Sequence, residues 1–360
     1  MTFASVFKPV YYFRKKMPLL SFILFRVITM AVILFVLGFA VFGLMELAPG
    51  DILDRLAMQQ LFAGQDGASR VSQEADEAFR AEQIAARREA LGLDKPFYVQ
   101  YLRWLSQVIV HHDLGVSLIS RAPVLFLLGT RIANSLLLNL ISLVLITAAS
   151  FALGVWFAGK AGTWIDLGGA FLALALHAVP GILLLILLQL FAAVTGFFPV
   201  TAYPPFPFAE APLKFTLSYA HHCFLPLLAA FLGGIGGTIR MIRSTMLDQL
   251  GQPYITAVRS RGVPEQRILF AHAFRNTLNP YITGSANLLA GLFSGSLVLE
   301  IIFAYPGVGR LMYEAVSQED INLVLANLMF ISFLVLLGMV ISDILLAFVD
   351  PRIRYGSAEG

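Results

Sequence analysis

Long apolar runs constrain this chain more than any other feature. One of them, AVILFVLGFAVFGLM at residues 31–45, contains no charged side chain. A helix needs about 20 such residues to cross the hydrocarbon core of a bilayer. The whole chain is only 13% charged, whereas soluble domains carry about 25%. The sequence therefore predicts a membrane protein with several spans.

Six apolar runs predict six transmembrane helices. The first is too long for a signal-peptide core and is not followed by a small-x-small cleavage site, so we expect an uncleaved span. The expected fold class is an all-α polytopic membrane protein. The predicted spans are residues 22–45, 132–157, 167–194, 223–242, 282–304 and 323–349.

Lysine and arginine in the connections predict the orientation, because cytoplasmic loops carry an excess of these residues. The tail at residues 1–21 holds four bases and no acid. The loop at 243–281, which we call the arginine-rich loop, is also basic, and the tail at 350–360 contributes Arg352 and Arg354. An even number of spans places all three on one side. We expect that side, with both termini, to be cytoplasmic, in a bacterial inner membrane.

Residues 46–130 then lie on the periplasmic side, followed by a membrane core at residues 131–349. This long segment holds eleven acids and eight bases, and so shows no positive bias. Residues 72–92 within it predict an amphipathic helix, with Ser72 as N-cap and Gly92 just after its end. The proline- and aromatic-rich stretch at 197–215 is expected to lack regular structure.

The arginine-rich loop divides into two predicted helices. The first covers about 244–261, Gly262 can end it in a left-handed conformation, and Pro264 stands where the second would begin. A short amphipathic helix at a membrane surface can fill a groove in a partner protein. An ordinary positively charged connection is the alternative that composition leaves open.

Two pieces of this loop, YITAVRSRG at 254–262 and HAFRN at 272–276, resemble the EAA signature of binding-protein-dependent ABC importer permeases. The resemblance is to their dipeptide, oligopeptide and nickel branch. Further stretches match that branch in the same order: APGD at 48–51, LGLDKPFYVQYLRWL at 91–105, DLGVS at 113–117, RIANSL at 131–136, FAYPGVGRLMYEAV at 303–316 and VDPRIR at 349–354.

The resemblance implies a type I ABC importer permease fold, in which the EAA loop is a coupling helix that docks into an ATPase subunit. Carried over by position, the coupling residues are Tyr254, Arg259, Arg261, Gly262, Glu265, His272, Arg275 and Asn276. The implied partners are a second homologous permease chain, two ATPase subunits that hold ATP and magnesium, and a periplasmic solute-binding protein. The chain itself would be no enzyme and hold no cofactor, and nothing indicates a nucleic-acid partner. Within the branch the solute is a di- or oligopeptide, with nickel, opines and oligosaccharides as alternatives.

Three other sequence features bear on alternative functions. Residues 154–161 have the G-x4-G-K skeleton of a phosphate-binding loop, but Ala161 stands where magnesium needs a hydroxyl. His221, His222 and Cys223 are potential metal ligands, yet neighbouring side chains on a helix diverge, so no metal site is predicted. An ion-coupled secondary transporter is a more remote alternative, because it should show midplane acids or broken helices in both halves.

Five residues are candidates for a gate or a solute path. Proline and glycine within a span permit kinks, and ionisable residues within spans mark pathways in many transporters. Packing, interhelical hydrogen bonds or interfacial roles are the alternatives for all five. The candidates are Pro180, Gly181, Asn287, Glu300 and Asp343.

Overall fold

The computed structural model describes residues 18–47, 95–278, 281, 291–292, 296–318 and 320–349. For residues 18–22, 45–46 and 342–349 it describes the backbone alone. The helix expected at 72–92, most of the fifth predicted span and both terminal tails lie outside the described residues.

The described structure is helical, apart from an isolated β-bridge between Val116 and Pro123. Two segments, Gln107–His111 and Ile268–Ala273, are π-helical. The α-helices, numbered in chain order, are α1 (Pro18–Leu47), α2 (Phe97–Ser106), α3 (Val124–Gly159), α4 (Trp164–Ala178), α5 (Gly181–Thr195), α6 (Pro212–Leu250), α7 (Pro253–Ser260), α8 (Glu265–Arg267), α9 (Phe274–Thr277), α10 (Leu297–Ile302), α11 (Val308–Ser317) and α12 (Ile321–Val349).

Four helices among the described residues are long and apolar enough to cross a bilayer. They are Ile23–Leu44 within α1, the whole of α3 and α6, and Ile321–Ile341 within α12. Helices α4 and α5 meet at an angle of 84° and bring the total to five if the pair forms one span. The fifth predicted span, at 282–304, falls mostly outside the described residues, so the count of six stays a prediction.

Several helices extend beyond the predicted spans. Helix α3 begins at Val124 rather than at residue 132, and α6 covers Pro212–Leu250 rather than 223–242. The apolar run covers the part of a helix that fits the hydrocarbon core of a bilayer. The helical hydrogen bonds of the backbone continue into more polar sequence at either end. The third run, predicted as one helix, is broken between Ala178 and Gly181.

The chain divides into two compact units, Met1–Thr130 with Leu311–Phe333, and Arg131–Arg310 with Leu334–Gly360. In the first unit Tyr101 of α2 is fully buried, and its hydroxyl donates to the Phe35 carbonyl at 2.8 Å. Gly38 permits this approach, because a Cβ there would lie 2.8 Å from the tyrosine ring. Phe42, Trp104 and Leu325 complete the cluster.

A second contact in the same unit fixes the segment between α2 and α3. The buried carboxylate of Asp320 accepts a hydrogen bond from the Ser117 hydroxyl at 2.5 Å and from the Leu323 N–H at 3.2 Å. Nearby, the Asn322 side chain donates to the Val116 carbonyl. The stretch around residue 117 is thereby attached to the start of α12.

The core of the second unit lies along α6. Toward the N-terminal end of this helix, Cys223, Leu225 and Ala229 pack with Leu185 and Ala192 of α5. Toward its C-terminal end, Ile242 and Met246 pack with α3 and with the arginine-rich loop, through Val155, Ala158, Ile255, Ile268 and Ala273. Helix α6 therefore connects the bent pair of helices to the loop.

Candidate functional site

The first helix of the arginine-rich loop is shorter than predicted. Residues 244–250 belong to α6, which ends at Leu250, and a separate helix α7 covers Pro253–Ser260. Pro253 occupies the first helical position, where a missing N–H costs nothing. The extended backbone of Gln252 separates the two helices.

Gly262 has a φ of +76°, as the left-handed prediction required. Pro264 then precedes a second helical stretch made of α8, the π-helical Ile268–Ala273 and α9. The chain therefore reverses within Arg261–Pro264. Side chains other than glycine rarely adopt a φ in this range.

One face of the loop is anchored in the unit's core. Ile255 of α7 and both Ile268 and Ala273 of the second stretch are fully buried. They pack against Ile242 and Met246 of α6, together with residues of α3. The loop is thus bound to two long helices through apolar contacts as well as through the peptide chain.

Two polar contacts tie the halves of the loop together. The Arg259 guanidinium donates to both carboxylate oxygens of Glu265, at 2.5 Å and 3.2 Å. The Asn276 amide donates to the Tyr254 hydroxyl at 2.9 Å, which itself donates to the Gln249 side chain. The hydrogen bond from Arg259 lowers the pKa of the Glu265 carboxyl, so this exposed pair is charged at neutral pH.

The loop also carries exposed cations. Arg261, Arg267 and Arg275 are exposed, and no hydrogen bond or ion pair to another described residue satisfies them. Phe270, on the same stretch, is 63% exposed. His272 is half-buried within the π-helical segment.

Four of the eight predicted coupling residues therefore bond through their side chains in two pairs, Arg259 with Glu265 and Asn276 with Tyr254. Gly262 joins them through its N–H, which donates to the Arg259 carbonyl at 3.0 Å. The side chains of Arg261, His272 and Arg275 make no hydrogen bond to a described residue.

The bend between α4 and α5 lies at Val179–Gly181. Val179 is extended, with φ −73° and ψ 122°, and Pro180 offers no backbone donor to continue a helix. Pro180 and Gly181 are exposed, and a Cβ at Gly181 would meet no atom within 4 Å. Both gate candidates thus sit at a sharp break in an otherwise apolar pair of helices.

Near the start of α4, the structure reveals an ion pair that the sequence did not indicate. Arg243 of α6 donates to both carboxylate oxygens of Asp166, with Nε–Oδ1 at 2.5 Å and Nη2–Oδ2 at 2.8 Å. The Gly162 N–H donates to the same carboxylate. The Asp166 side chain is 2% exposed. The only sequence signal was an acid where an apolar run begins, and its partner lies 77 positions away.

Glu300 lies in a buried hydrogen-bond cluster. Its carboxylate accepts from the Ser135 hydroxyl at 2.8 Å and from the Arg310 N–H at 2.9 Å. Ser135 also accepts from the Val308 N–H, and a Cβ at Gly307 would overlap the carboxylate. Glu300 is 1% exposed. This placement favours a structural role over a position on a solute path.

The remaining candidates are placed as follows. Asn287 and the side chain of Asp343 lie outside the described residues. Residues 154–159 are the last turns of α3, so the glycine-lysine skeleton forms no phosphate-binding loop there. His221 pairs with the Phe197 carbonyl, His222 with Ser218, and Cys223 is buried, so these three side chains contact different groups.

The comparisons with known proteins agree with this architecture. Residues 150–355 match the family described as "Binding-protein-dependent transport system inner membrane component". That region includes α4, α5, α6 and the arginine-rich loop. The chain belongs to this family. Residues 19–152 match the N-terminal domain of the same kind of membrane component.

Family membership extends to relatives along nearly the whole chain. A peptide transport system permease protein of Brucella abortus is 36% identical over 336 residues, which is 93% of this chain and 99% of the relative. The oligopeptide transport system permease protein AppB of Bacillus subtilis is 36% identical over 74% of this chain and 84% of its own length. The glutathione transport system permease protein GsiC of Salmonella paratyphi A is 29% identical over 94% of this chain and its own full length. The chain is therefore a multi-pass membrane permease subunit of an ABC transporter.

Proposed function

We propose that this chain is the membrane subunit of an ATP-driven importer for di- and oligopeptides. It receives the peptide from a periplasmic binding protein and passes it to the cytoplasm by alternating access. The observation that carries this proposal is the similarity, over 93% of the chain, to a permease named for peptide transport. Relatives named for oligopeptides and for glutathione, itself a small peptide, support the same class of solute.

The proposed assembly contains a second homologous permease chain, two ATPase subunits that hold ATP and magnesium, and the binding protein. The arginine-rich loop and both termini face the cytoplasm, and residues 46–130 lie in the periplasm. The basic character of the loop and of the tail at 1–21 supports this orientation. An ATPase subunit would dock on the exposed face of the loop.

Within the loop, we assign two kinds of role to the coupling residues. Tyr254, Arg259, Glu265 and Asn276 maintain the shape of the loop, because they bond to one another. Arg261 and Arg275 are exposed and contact the ATPase subunit, and His272 contributes from the edge of the same surface. Gly262 supplies the reversal of the chain between the two helical stretches.

For the solute path, we propose that Pro180 and Gly181 mark a gate at the bend. Backbone that leaves helical geometry at membrane depth is tolerated where it is covered by protein or lines a water-filled cavity. Asn287 and Asp343 stay candidates for the path. Glu300 we assign instead to the buried cluster that holds the start of α11.

The proposal is tested by reconstituting the chain with its ATPase partners, the second permease and the binding protein in vesicles. Uptake of labelled di- and oligopeptides should require ATP and the binding protein, and should not respond to a proton gradient alone. Uptake driven by the gradient without ATP would reverse the assignment in favour of a secondary transporter. ATP-dependent uptake of nickel, opines or oligosaccharides, with no uptake of peptides, would replace the solute class.

A further inference from the structure

We propose that the Arg243–Asp166 ion pair links the C-terminal half of α6 to α4, so that movement of the arginine-rich loop reaches the bend at Val179–Gly181. This inference rests on the proposed function of the loop as the ATPase docking site. The two residues are positioning residues for transport. They touch neither solute nor nucleotide.

The geometry of the pair makes it hard to break. Both carboxylate oxygens of Asp166 accept from the Arg243 guanidinium, and the Gly162 N–H adds a third hydrogen bond. The Asp166 side chain is 2% exposed and that of Arg243 is 28% exposed, so loss of Arg243 would leave the buried carboxylate without its counter-charge, which is unfavourable. The two helices therefore stay joined at this point whenever either one moves.

A second contact joins the same two helices further along. A Cβ at Gly236 of α6 would overlap the backbone of Ala173 in α4, so the two helices touch there without an intervening side chain. Gly236 and Arg243 lie about two turns apart on α6. Two fixed points along a helix determine its direction as well as its distance. Helix α4 is therefore constrained to follow the C-terminal half of α6.

Helix α5 is attached to a different part of α6. Leu185 and Ala192 of α5 pack with Leu225 and Ala229, toward the N-terminal end of α6. Between the two attachment regions α6 contains Gly233 and Gly234. Pro226, inside the helix, also lacks a backbone donor. Glycine-rich stretches and prolines are where helices bend.

These contacts define two bodies that meet at two joints. One body is α4 with the C-terminal half of α6, which leads into the arginine-rich loop. The other is α5 with the N-terminal half of α6. The joints are the extended Val179–Pro180 segment and the stretch of α6 around Gly233 and Gly234. A displacement of the loop then changes the angle between α4 and α5, and the ion pair keeps α4 in the moving body.

The first test uses the complete reconstituted complex and measures peptide taken up per ATP hydrolysed. The variants are Asp166→Asn, Arg243→Gln, and the reversed pair Asp166→Arg with Arg243→Asp. Each single change should lower the uptake per ATP by at least about fivefold, within the usual range of coupling between sites. The ATPase subunits should still co-purify and hydrolyse ATP. The reversed pair should recover a measurable part of the loss.

Arg240→Gln is the matched control, because Arg240 is an exposed arginine on the same helix with no partner among the described residues. It should leave uptake per ATP unchanged. Unchanged uptake per ATP in both single variants would overturn the link. The link would also be overturned if the single variants fail to assemble and the reversed pair does not restore assembly. The ion pair would then serve folding only.

A second readout separates this inference from the identity of the solute. Spin labels at Trp164→Cys on α4 and Val194→Cys on α5, in a Cys223→Ser chain, report the distance across the bend; both positions are exposed, at 88% and 76%. In the assembled complex, a non-hydrolysable ATP analogue should shift this distance, and Asp166→Asn should abolish the shift. No shift in the parent chain would overturn the link while leaving the peptide proposal intact. A preserved distance shift without peptide uptake would contradict the peptide proposal and leave the link intact.

Discussion

At Gly262 the backbone conformation, and not the available space, restricts the side chain. Its φ is +76°, and a Cβ there would meet no atom within 4 Å. A β-branched residue in the left-handed region costs roughly 1–2 kcal/mol. The strain would fall on the chain reversal that presents Arg261 and the following stretch. The rest of the chain should fold and insert normally.

Gly262→Val should therefore reduce uptake and weaken co-purification of the ATPase subunits, with unchanged membrane yield. Gly262→Asn is the matched control, because asparagine tolerates left-handed backbone better than valine. Gly262→Asn should retain more uptake and more bound ATPase subunit than Gly262→Val. Equal yields of ATPase with the valine and asparagine variants, and normal uptake in both, would count against a docking role for this reversal.

Gly307 is restricted by space. A Cβ there would overlap the buried Glu300 carboxylate. Gly307→Ala should lower the stability of the purified chain by about 1–3 kcal/mol, the usual cost of overpacking, visible as a lower melting temperature. In α4, Gly168→Ala should be neutral or slightly stabilising, because nothing lies within 4 Å and alanine favours helix. Melting of both variants at the parent temperature would show that the Glu300 cluster tolerates displacement.

Sequence patterns identified the residues of the arginine-rich loop, but not which of their side chains bond to one another and which stay exposed. A motif names Tyr254 and Asn276 at a fixed spacing, yet only the fold shows that they bond to each other. The Arg243–Asp166 pair joins two separate helices, so no local periodicity reports it. Glu300 is an ionisable residue in a predicted span, and the sequence does not show that its carboxylate is held by Ser135, 165 positions away, and by the Arg310 N–H, ten positions away.

Among the helices, the sequence predicted which segments are helical better than where they begin and end. Pro180 and Gly181 marked a kink in the third run, but neither predicted an angle of 84°. The π-helical turn at Ile268–Ala273 is not predicted by a periodicity of 3.6 residues, which is that of a regular α-helix. Such turns insert a residue into an α-helix and occur often at functional sites.

The bend itself can be tested with two prolines that both stand at helix starts. Pro180→Ala returns a backbone N–H at the break and permits helix to continue, so we expect a marked loss of uptake if the bend is the gate. Pro212 occupies the first turn of α6, and Pro212→Ala should leave uptake near the parent value. Comparable uptake by the two variants would remove Pro180 from the gate. The measurement is ATP-dependent peptide uptake in reconstituted vesicles.

For the molecule as a whole, the orientation in the membrane is the property on which the proposed assembly depends. A single cysteine can be placed at Arg261 or at Phe208 in a Cys223→Ser chain, because both positions are exposed. An impermeant thiol reagent should label Arg261→Cys only in inside-out vesicles. It should label Phe208→Cys only in right-side-out vesicles. Labelling of both from one side would contradict the proposed topology, since an odd number of crossings separates them.

The arginine-rich loop has a buried apolar side and an exposed cationic side, and these two sides face different evolutionary demands. The side formed by Ile255, Ile268 and Ala273 has to fit α3 and α6 of its own chain. In the proposed assembly, the side with Arg261, Arg267 and Arg275 would have to fit only the ATPase subunit. Recognition of a different ATPase could therefore arise by exchanging surface charges, without changing the apolar contacts between the loop and helices α3 and α6.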